Sequence, residues 1–256
     1  MISDFSLVDT AALLIHGFGG EPFEMLGLAE ALESFGCKVS VPLLPGHGTS
    51  IADWRKSSFS DLTMAMEQEF DALVQSHERV LVCGLSMGGT LALHLGIVRE
   101  PAGVLTIAAP VHLFQFWPPE FPDWRMPLVP LLKHIRPVWP TGSPDPKARR
   151  IAPWKGYEEY VSLEALDSFL DGMRQVKMGL SKLEAPLLCV HSPCDRTVPL
   201  SSAYAIMSGV SSLERRLELL PIHETVTKHH VLTTHEETRD RVQELVEGFA
   251  LKQLAE

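Results

Sequence analysis

Short runs of apolar, often β-branched residues recur along most of the chain, and longer segments with apolar positions at helical spacing separate them. This alternation is typical of parallel strands joined by helices, because a strand covered on both faces has no polar side. Strands are predicted over residues 11–15, 37–41, 79–84, 103–109, 186–190 and 216–220. The main helices are predicted over residues 21–35, 58–77, 87–99 and 235–254. The predicted fold class is therefore α/β, with a mostly parallel sheet of about six or more strands and helices on both faces.

Two of the predicted helices carry capping signals at their starts. Thr234, followed three positions later by Glu237, forms a predicted capping box for the last helix. Ser201 is a predicted cap for the helix that follows the strand at 186–190.

The alternating pattern stops at Pro110. From Val111 to about Ala185 no strand is predicted, and one helix is predicted over residues 158–180. An insertion of ~75 residues is much longer than an ordinary connection, and such insertions are usually functional. We interpret residues 111–185 as a cap, or lid, over the carboxyl edge of the sheet, within a single domain that spans residues 1–256. Its aromatic residues form either an apolar acyl pocket or the core of the cap itself: Phe114, Phe116, Trp117, Phe121, Trp124, Trp139 and Trp154.

Ser86 lies at a predicted junction between a strand and a helix. The sequence Gly84-Leu85-Ser86-Met87-Gly88 follows a strand and precedes a segment of small apolar residues. Gly-x-Ser-x-Gly in this position is typical of a nucleophile elbow, in which a strained turn exposes the serine hydroxyl. Both glycines are expected because the strand and the helix leave the turn too close together for side chains. A motif this short also arises by chance, so its meaning depends on a base, an acid and an oxyanion hole elsewhere.

Two nucleotide-binding motifs do not fit the glycine-rich segments. A dinucleotide fingerprint in the turn at residues 16–20 would need glycine where Pro22 stands, and no acidic residue follows at the required distance. A phosphate-binding Walker loop would need a lysine after Gly89, and none is present.

An acid and a base follow the last two predicted strands. Asp195 comes after the fifth strand, and His229 and His230 lie in the loop after the sixth. Ligands of open parallel sheets bind beyond the carboxyl ends of the strands, so these side chains are expected near Ser86. The order serine, aspartate, histidine is that of the α/β-hydrolases. The alternative for Asp195 is a role as a turn or capping residue only.

Two backbone amides are expected to form the oxyanion hole. By position they are the N–H of Met87, at the start of the helix after Ser86, and the N–H of Phe18, in the glycine-rich turn at residues 16–20. Preorganised donors of this kind contribute ~3–4 kcal/mol each to acyl transfer. His16 and His47 are predicted to be structural residues that hold the glycine-rich loops by hydrogen bonds.

The chain resembles the serine α/β-hydrolases, and within them the bacterial carboxylesterase and monoacylglycerol lipase group. The resemblance rests on stretches that follow the predicted sheet in order: residues 16–20, 44–48, 84–88, 195–199 and 229–232. It implies the α/β-hydrolase fold with a cap insertion and the catalytic residues Ser86, Asp195 and His230. His230 is preferred to His229 because an apolar pair follows it. Two positions depart from the family pattern, Ser192, where glycine is frequent, and His235, where an acidic residue is frequent.

Composition limits the partners and the compartment. The formal net charge of the 256 residues is −10, which disfavours nucleic acid as a partner. No apolar run reaches the length of a membrane span, and the first residues lack the features of a secretory signal. The cysteines lack CxxC spacing and are expected to be buried, reduced thiols of a cytoplasmic protein: Cys37, Cys83, Cys189 and Cys194. His223 and His235 are expected to be solvated, and the histidines lack metal-ligand spacing.

These features predict a carboxylic ester hydrolase that needs no cofactor and acts on short- or medium-chain acyl esters or monoacylglycerols. The expected partner is a small-molecule ester or lipid, bound by Phe114, Phe116, Trp117 and Trp124 of the cap. One alternative is a related hydrolase or acyltransferase for lactone, thioester or peracid chemistry, which uses the same residues. Another is a non-catalytic binding protein on the same fold. Epoxide hydrolases and dehalogenases need a carboxylate nucleophile, and Ser86 holds that position.

Overall fold

A parallel sheet with helices on both faces forms the centre of the computed structural model, which describes residues 7, 9–117, 119–120, 123–143 and 145–254. Phe121 and residues 1–6 lie outside the described residues. In chain order the strands and helices are β1 Thr10–Ile15, α1 Leu26–Ser34, β2 Lys38–Ser40, α2 Ile51–Lys56, α3 Phe59–Val74, β3 Arg79–Leu85, α4 Met87–Val98, β4 Gly103–Ile107, α5 Val129–Ile135, β5 Val138–Pro140, α6 Pro146–Ile151, β6 Tyr160–Ser162, α7 Leu163–Gly179, β7 Leu187–His191, α8 Leu200–Gly209, β8 Arg215–Leu219 and α9 Arg239–Leu254. Short 3₁₀ helices cover Pro22–Met25, Met126–Leu128 and Leu180–Lys182.

Within the described residues, the main sheet has six parallel strands in the order β2-β1-β3-β4-β7-β8. This confirms the predicted strands and the α/β-hydrolase fold class. The central strand β3 lies between β1 and β4, with Gly84 opposite Ile15 and Leu85 opposite Ile107. Since all the strands run the same way, the turns after β1, β3, β7 and β8 meet at one carboxyl edge.

The sheet has an apolar core on each face because side chains alternate along every strand. Leu13 and Val82 belong to the core that α3, α4 and α7 cover, whereas Leu14 and Cys83 belong to the core that α1 and α9 cover. Both faces of β3 are buried. This double burial, which β1, β4 and β7 share, explains why these strands appear in the sequence as continuous apolar runs rather than as alternating patterns.

The segment at residues 111–185 contains more regular structure than the sequence predicts. The prediction that it contains no strand is wrong, because β5 and β6 pair antiparallel, with Val138 opposite Ser162. The predicted helix at 158–180 is α7, which starts at Leu163 and packs against α2, α3 and α4. Helices α5 and α6 were not predicted, and neither was α2 in the main body. Each spans fewer than two full turns, which is too short for a helical period to show in the sequence.

The predicted capping box of the last helix is wrong. Helix α9 begins at Arg239, and the hydroxyl of Thr234 donates instead to the carbonyl of Pro153, at 2.6 Å. The carboxylate of Glu237 accepts from the backbone N–H groups of His223 and Glu224. The residues that resemble a helix cap therefore fasten the loop after β8 to its surroundings.

Three smaller expectations also need correction. Helix α8 starts after Pro199 without a side-chain cap, and the hydroxyl of Ser201 hydrogen-bonds with Glu120 and His112 instead. His235 is fully buried rather than solvated, because its ring contacts the Glu224 carboxylate, whereas the His223 side chain is 84% exposed, as expected. Three of the four cysteines are buried and none is in a disulfide, but Cys194 is exposed.

No helix in the described part of the chain is long and apolar enough to cross a membrane.

Candidate active site

Ser86 occupies a strained turn between β3 and α4. Its backbone has φ 53° and ψ −120°, a conformation that non-glycine residues rarely adopt. A Cβ atom on Gly84 would lie 2.1 Å from the carbonyl carbon of Gly88, and one on Gly88 would lie 2.1 Å from the carbonyl oxygen of Ile15. Gly84 is therefore required by the close approach of β3 and α4, as the sequence predicts, whereas Gly88 is required by its close approach to the end of β1.

The structure brings Ser86, His230 and Asp195 into one chain of hydrogen bonds. The Oγ of Ser86 lies 2.9 Å from the Nε2 of His230, and the Nδ1 of His230 lies 2.7 Å from the Oδ2 of Asp195. The Asp195 side chain is fully buried, and His230 is mostly buried. With Nδ1–H donated to the carboxylate, Nε2 is left free to accept the serine proton.

Backbone amides hold the carboxylate of Asp195 in place. Its Oδ1 accepts from the N–H of Thr197 at 2.7 Å and from the N–H of Val198 at 2.9 Å. The neighbouring Arg196 fastens this turn to the loop after β8, because its N–H and its guanidinium donate to the carbonyls of Lys228 and Thr227. The turn that carries the acid and the loop that carries the histidine are thus joined directly.

His229 faces away from Ser86. Its Nε2 lies 2.7 Å from the carbonyl oxygen of Glu224, and its backbone has φ 57°. Glu224 also accepts from the backbone and hydroxyl of Thr227 and from His235. Burial opposes ionisation of this carboxyl, but these hydrogen bonds outweigh it and lower the pKa of Glu224 to about 2. Glu224 is therefore ionised at neutral pH and anchors the loop that presents His230.

His16 and His47 hold the glycine-rich turn after β1, which we call the oxyanion turn (residues 16–20). The Nε2 of His16 accepts from the N–H of Leu44 at 3.1 Å, and the Nε2 of His47 accepts from the N–H of Gly19 at 3.1 Å. Burial, together with the neighbouring His47, lowers the pKa of His16 to about 3, so its ring stays neutral and can accept. The predicted structural role of both histidines is confirmed.

Phe18 and Met87 leave their backbone N–H groups unused. Neither amide donates to an acceptor within the described residues. Met87 is the first residue of α4, where an amide has no partner inside the helix and the helix dipole favours negative charge. Both predicted oxyanion donors are thus available at the cavity that holds Ser86. Phe18 lines this cavity, and Met87 directly follows Ser86.

A cavity of about 200 Å³ contains the reacting atoms. It is lined by Gly17, Phe18, Glu24, Leu85, Ser86, Trp154, Thr197, His230 and Val231. Of the aromatic residues that the structure describes at positions 111–185, Trp154 lines this cavity.

The structure does not bring the four predicted substrate-binding aromatics to that cavity. Trp117 is 88% exposed, and Phe116 and Trp124 are also exposed. Phe114 is half-buried and packs edge-on against Phe116, with ring centroids 5.7 Å apart.

Sequence reasoning missed Glu24 as a cavity residue, and it named Trp154 only within the group of seven aromatic residues predicted to form an acyl pocket or the core of the cap. Glu24 follows Pro22 in what looks like the first turn of a surface helix, and Trp154 is one aromatic among many. The proximity of Glu24 to the glycine-rich turn was the only available signal.

The serine aminopeptidase S33 family profile matches residues 8–227, a range that includes Ser86 and Asp195 and ends before His230. A thermostable monoacylglycerol lipase of Bacillus sp. (strain H-257) is 30% identical over 239 residues, which cover 93% of this chain and 89% of that protein. Among solved structures, a metagenome-derived lipolytic enzyme superposes with a TM-score of 0.83 at 25% identity, covering 96% of this chain and 94% of that one. A monoacylglycerol lipase of Paleococcus ferrophilus shares the fold, with a TM-score of 0.78 at 18% identity over 97% of both chains. The chain therefore belongs to the serine aminopeptidase S33 family of α/β-hydrolases, in its esterase and monoacylglycerol lipase group, and is a serine ester hydrolase.

Proposed function

We propose that this protein hydrolyses carboxylic esters of short and medium acyl chains, including monoacylglycerols, through an acyl-enzyme on Ser86. The observation that carries the proposal is the unbroken hydrogen-bonded chain from Asp195 through His230 to Ser86. Beside it lie two unused backbone donors, at Phe18 and Met87.

In acylation the Oγ of Ser86 attacks the ester carbonyl carbon while the Nε2 of His230 takes its proton. A serine hydroxyl is a weak nucleophile, and an imidazole can both accept and return a proton near neutral pH. The negative charge that develops on the carbonyl oxygen is stabilised by the N–H groups of Phe18 and Met87. When the carbon–oxygen bond to the alcohol breaks, His230 returns the proton to the leaving oxygen.

In deacylation a water molecule takes the place of the alcohol. His230 removes a proton from this water as its oxygen attacks the acyl carbon, and the proton then passes to the Oγ of Ser86 as the acid leaves. Asp195 keeps the imidazole in the correct tautomer and stabilises its charged form. It can do so because two backbone N–H groups fix its other oxygen.

The cavity supports a modest acyl group. Its apolar walls include Leu85, Trp154 and Val231, and its volume of about 200 Å³ accommodates a short or medium chain. We further propose that residues 111–185 act as the cap of the site. In support, Trp154 lines the cavity, and the N–H of Tyr157 donates to the carbonyl of Gly19 in the oxyanion turn, at 2.8 Å.

A fluorophosphonate probe tests the proposal, because it reacts with an activated serine in a folded site. We expect one label per chain, on Ser86, and none on the Ser86→Ala variant. A folded protein that remains unlabelled would contradict the proposal. Activity on p-nitrophenyl esters of increasing chain length tests the acyl range. We expect a maximum at short to medium chains, and activity on the acetate alone would contradict the proposed pocket.

A further inference from the structure

Glu24 is a buried carboxyl in the wall of the active-site cavity. It lies in the 3₁₀ helix Pro22–Met25, is 2% exposed, and makes no ion pair within the described residues. Its Oε1 is buried and makes no hydrogen bond of normal geometry there. Burying a carboxyl that makes no direct ion pair is costly, so its presence at this position needs a reason.

The oxyanion turn is the direct partner of this carboxyl. The Oε2 of Glu24 accepts from the backbone N–H of Gly17 at 3.0 Å. A Cβ atom on Gly20 would lie 2.1 Å from Oε1, so the turn wraps tightly around the side chain. Gly17 directly precedes Phe18, whose N–H is one of the two proposed oxyanion donors.

Separate contacts fix the remainder of this turn. The carbonyl of Gly17 accepts from the ring of His16 and from the N–H of Gly20. The peptide plane that carries the Phe18 N–H is therefore fixed at its oxygen, and Glu24 fixes the preceding amide. Removal of the Glu24 acceptor would leave a buried amide without a partner, which the turn can relieve only by rotating.

Two charged or titratable groups face the carboxyl, His230 from the loop after β8 and Arg149 from α6, and the indole of Trp154 also approaches it. Burial raises the pKa of Glu24 to about 7, although the Gly17 N–H and these neighbours favour the ionised form. The hydrogen bond from the Gly17 N–H can form whether the Glu24 carboxyl is ionised or neutral, because a neutral carboxyl also retains an acceptor oxygen.

We propose that Glu24 is a positioning residue for the reaction: by accepting the Gly17 N–H, its carboxyl holds the oxyanion turn so that the Phe18 N–H meets the developing oxyanion. The proposal rests on the proposed acyl-enzyme mechanism. It assigns to Glu24 a task that any acceptor of the same shape can perform, whereas an apolar side chain of similar length cannot.

The test compares Glu24→Gln with Glu24→Met, using p-nitrophenyl butyrate. The glutamine amide oxygen can still accept from Gly17, so we expect kcat within about fivefold of the wild type. The methionine variant has no acceptor, and a misplaced donor costs up to about 10²-fold, so we expect kcat to fall about 30- to 100-fold while KM changes less than about threefold. Glu21→Met, at a half-buried position just before the same 3₁₀ helix, is the matched control and should resemble the wild type.

The affinity for a transition-state analogue is a second measurement, and it would not change if Glu24 had a purely structural role. The affinity for a trifluoromethyl ketone, which forms a tetrahedral oxyanion on serine, should fall in parallel with kcat in Glu24→Met and remain near the wild-type value in Glu24→Gln. Wild-type kcat in the methionine variant would overturn the proposal, and so would an equal loss in both variants.

Fluorophosphonate labelling separates this proposal from the mechanism on which it rests. Glu24→Met should label slowly but completely, which shows a folded Ser86 site with a weakened oxyanion hole. A wild-type protein that does not label at all would contradict the acyl-enzyme itself, whatever the Glu24 variants do.

Discussion

The carboxyl edge of the sheet and the segment at residues 111–185 are held together in different ways. At the sheet edge the functional side chains are buried and hydrogen-bonded to backbone groups. Two backbone N–H groups donate to Asp195, and His16 and His47 each accept from a backbone N–H of a neighbouring loop. The inserted segment instead exposes large apolar side chains such as Trp117 and Trp124. The contrast lies between functional side chains that backbone hydrogen bonds hold in place and large apolar side chains that lie at the surface.

Residues 154–157 bring the inserted segment to the cavity and to the oxyanion turn. Trp154 lines the cavity, and Gly156 lies against Gly19. The hydroxyl of Tyr157 lies within hydrogen-bond distance of the carbonyl oxygens of Gly46, at 2.9 Å, and Ser50, at 3.0 Å. Gly156 and Tyr157 share the backbone-directed contacts of the sheet edge. The boundary between the two parts of the molecule therefore does not coincide with the ends of the insertion.

The largest expected effect belongs to the sheet edge. Asp195→Asn should lower kcat for p-nitrophenyl butyrate by roughly 10⁴, because an amide can donate to Nδ1 and favour the wrong imidazole tautomer. Steady-state kinetics with an unchanged circular-dichroism spectrum as the control would measure this. Near-normal turnover would mean that another carboxylate orients His230.

Gly156→Ala tests whether residues 154–157 are as constrained as the sheet edge. A Cβ atom at position 156 would lie 2.0 Å from the carbonyl oxygen of Gly19, and the backbone φ is +150°. We expect a loss of about 3–4 kcal/mol in the free energy of unfolding by urea, with reduced activity, because backbone has to move.

Gly142→Ala is the matched control for that substitution. Its φ is +84°, but no atom lies within 4 Å of an added Cβ, so only conformational strain of about 1 kcal/mol applies. Equal losses in the two variants would show that strain, and not contact with the oxyanion turn, explains the effect at position 156.

The pH dependence of the free energy of unfolding distinguishes the buried carboxyl of Glu24 from the exposed acidic side chains of the surface. Its pKa is about 7 in the folded protein and near 4.5 in an exposed glutamate. Between pH 4.5 and 7 the carboxyl is therefore protonated in the folded state and ionised in the unfolded state. The free energy of unfolding should therefore fall as pH rises from about 4.5 to 7, by about 2–3 kcal/mol relative to Glu24→Gln. Urea unfolding of both proteins at several pH values measures this, and parallel curves would contradict the assignment.

The smallest effects should come from the exposed aromatics. Trp117→Ser and Trp124→Ser should change kcat/KM for a soluble ester by less than about twofold, because neither side chain lines the cavity. Trp154→Ser should lower it by about tenfold, since an apolar wall is lost. A large effect at position 117 or 124 would show that the open surface of the insertion takes part in binding.

The sequence predicts the sheet edge well because its constraints are local. Gly84 is required by a turn of a few residues, and the central strands β1, β3, β4 and β7 are buried and leave apolar runs that need no knowledge of their neighbours. The placement of Ser86, Asp195 and His230 then follows from the common carboxyl edge of parallel strands.

The insertion and the start of α9 could not be predicted in the same way, because long-range contacts decide them. Thr234 has every local feature of a helix cap, yet it bonds to Pro153, more than eighty residues earlier in the chain. Trp154 and Trp117 are equally aromatic, and only the packing of residues 154–157 on the oxyanion turn distinguishes them. Glu24 resembles a surface residue until the turn folds around it.

The most direct test of the central claim is to trap the acyl-enzyme. Trypsin releases the peptide between Arg79 and Arg99, in which Ser86 is the only serine. After rapid acid quench of a reaction with p-nitrophenyl butyrate, mass spectrometry should find the butyryl group on Ser86 of this peptide, and the amount should match the initial burst of p-nitrophenol. Continued hydrolysis of the ester with no acyl group on that peptide would contradict the mechanism.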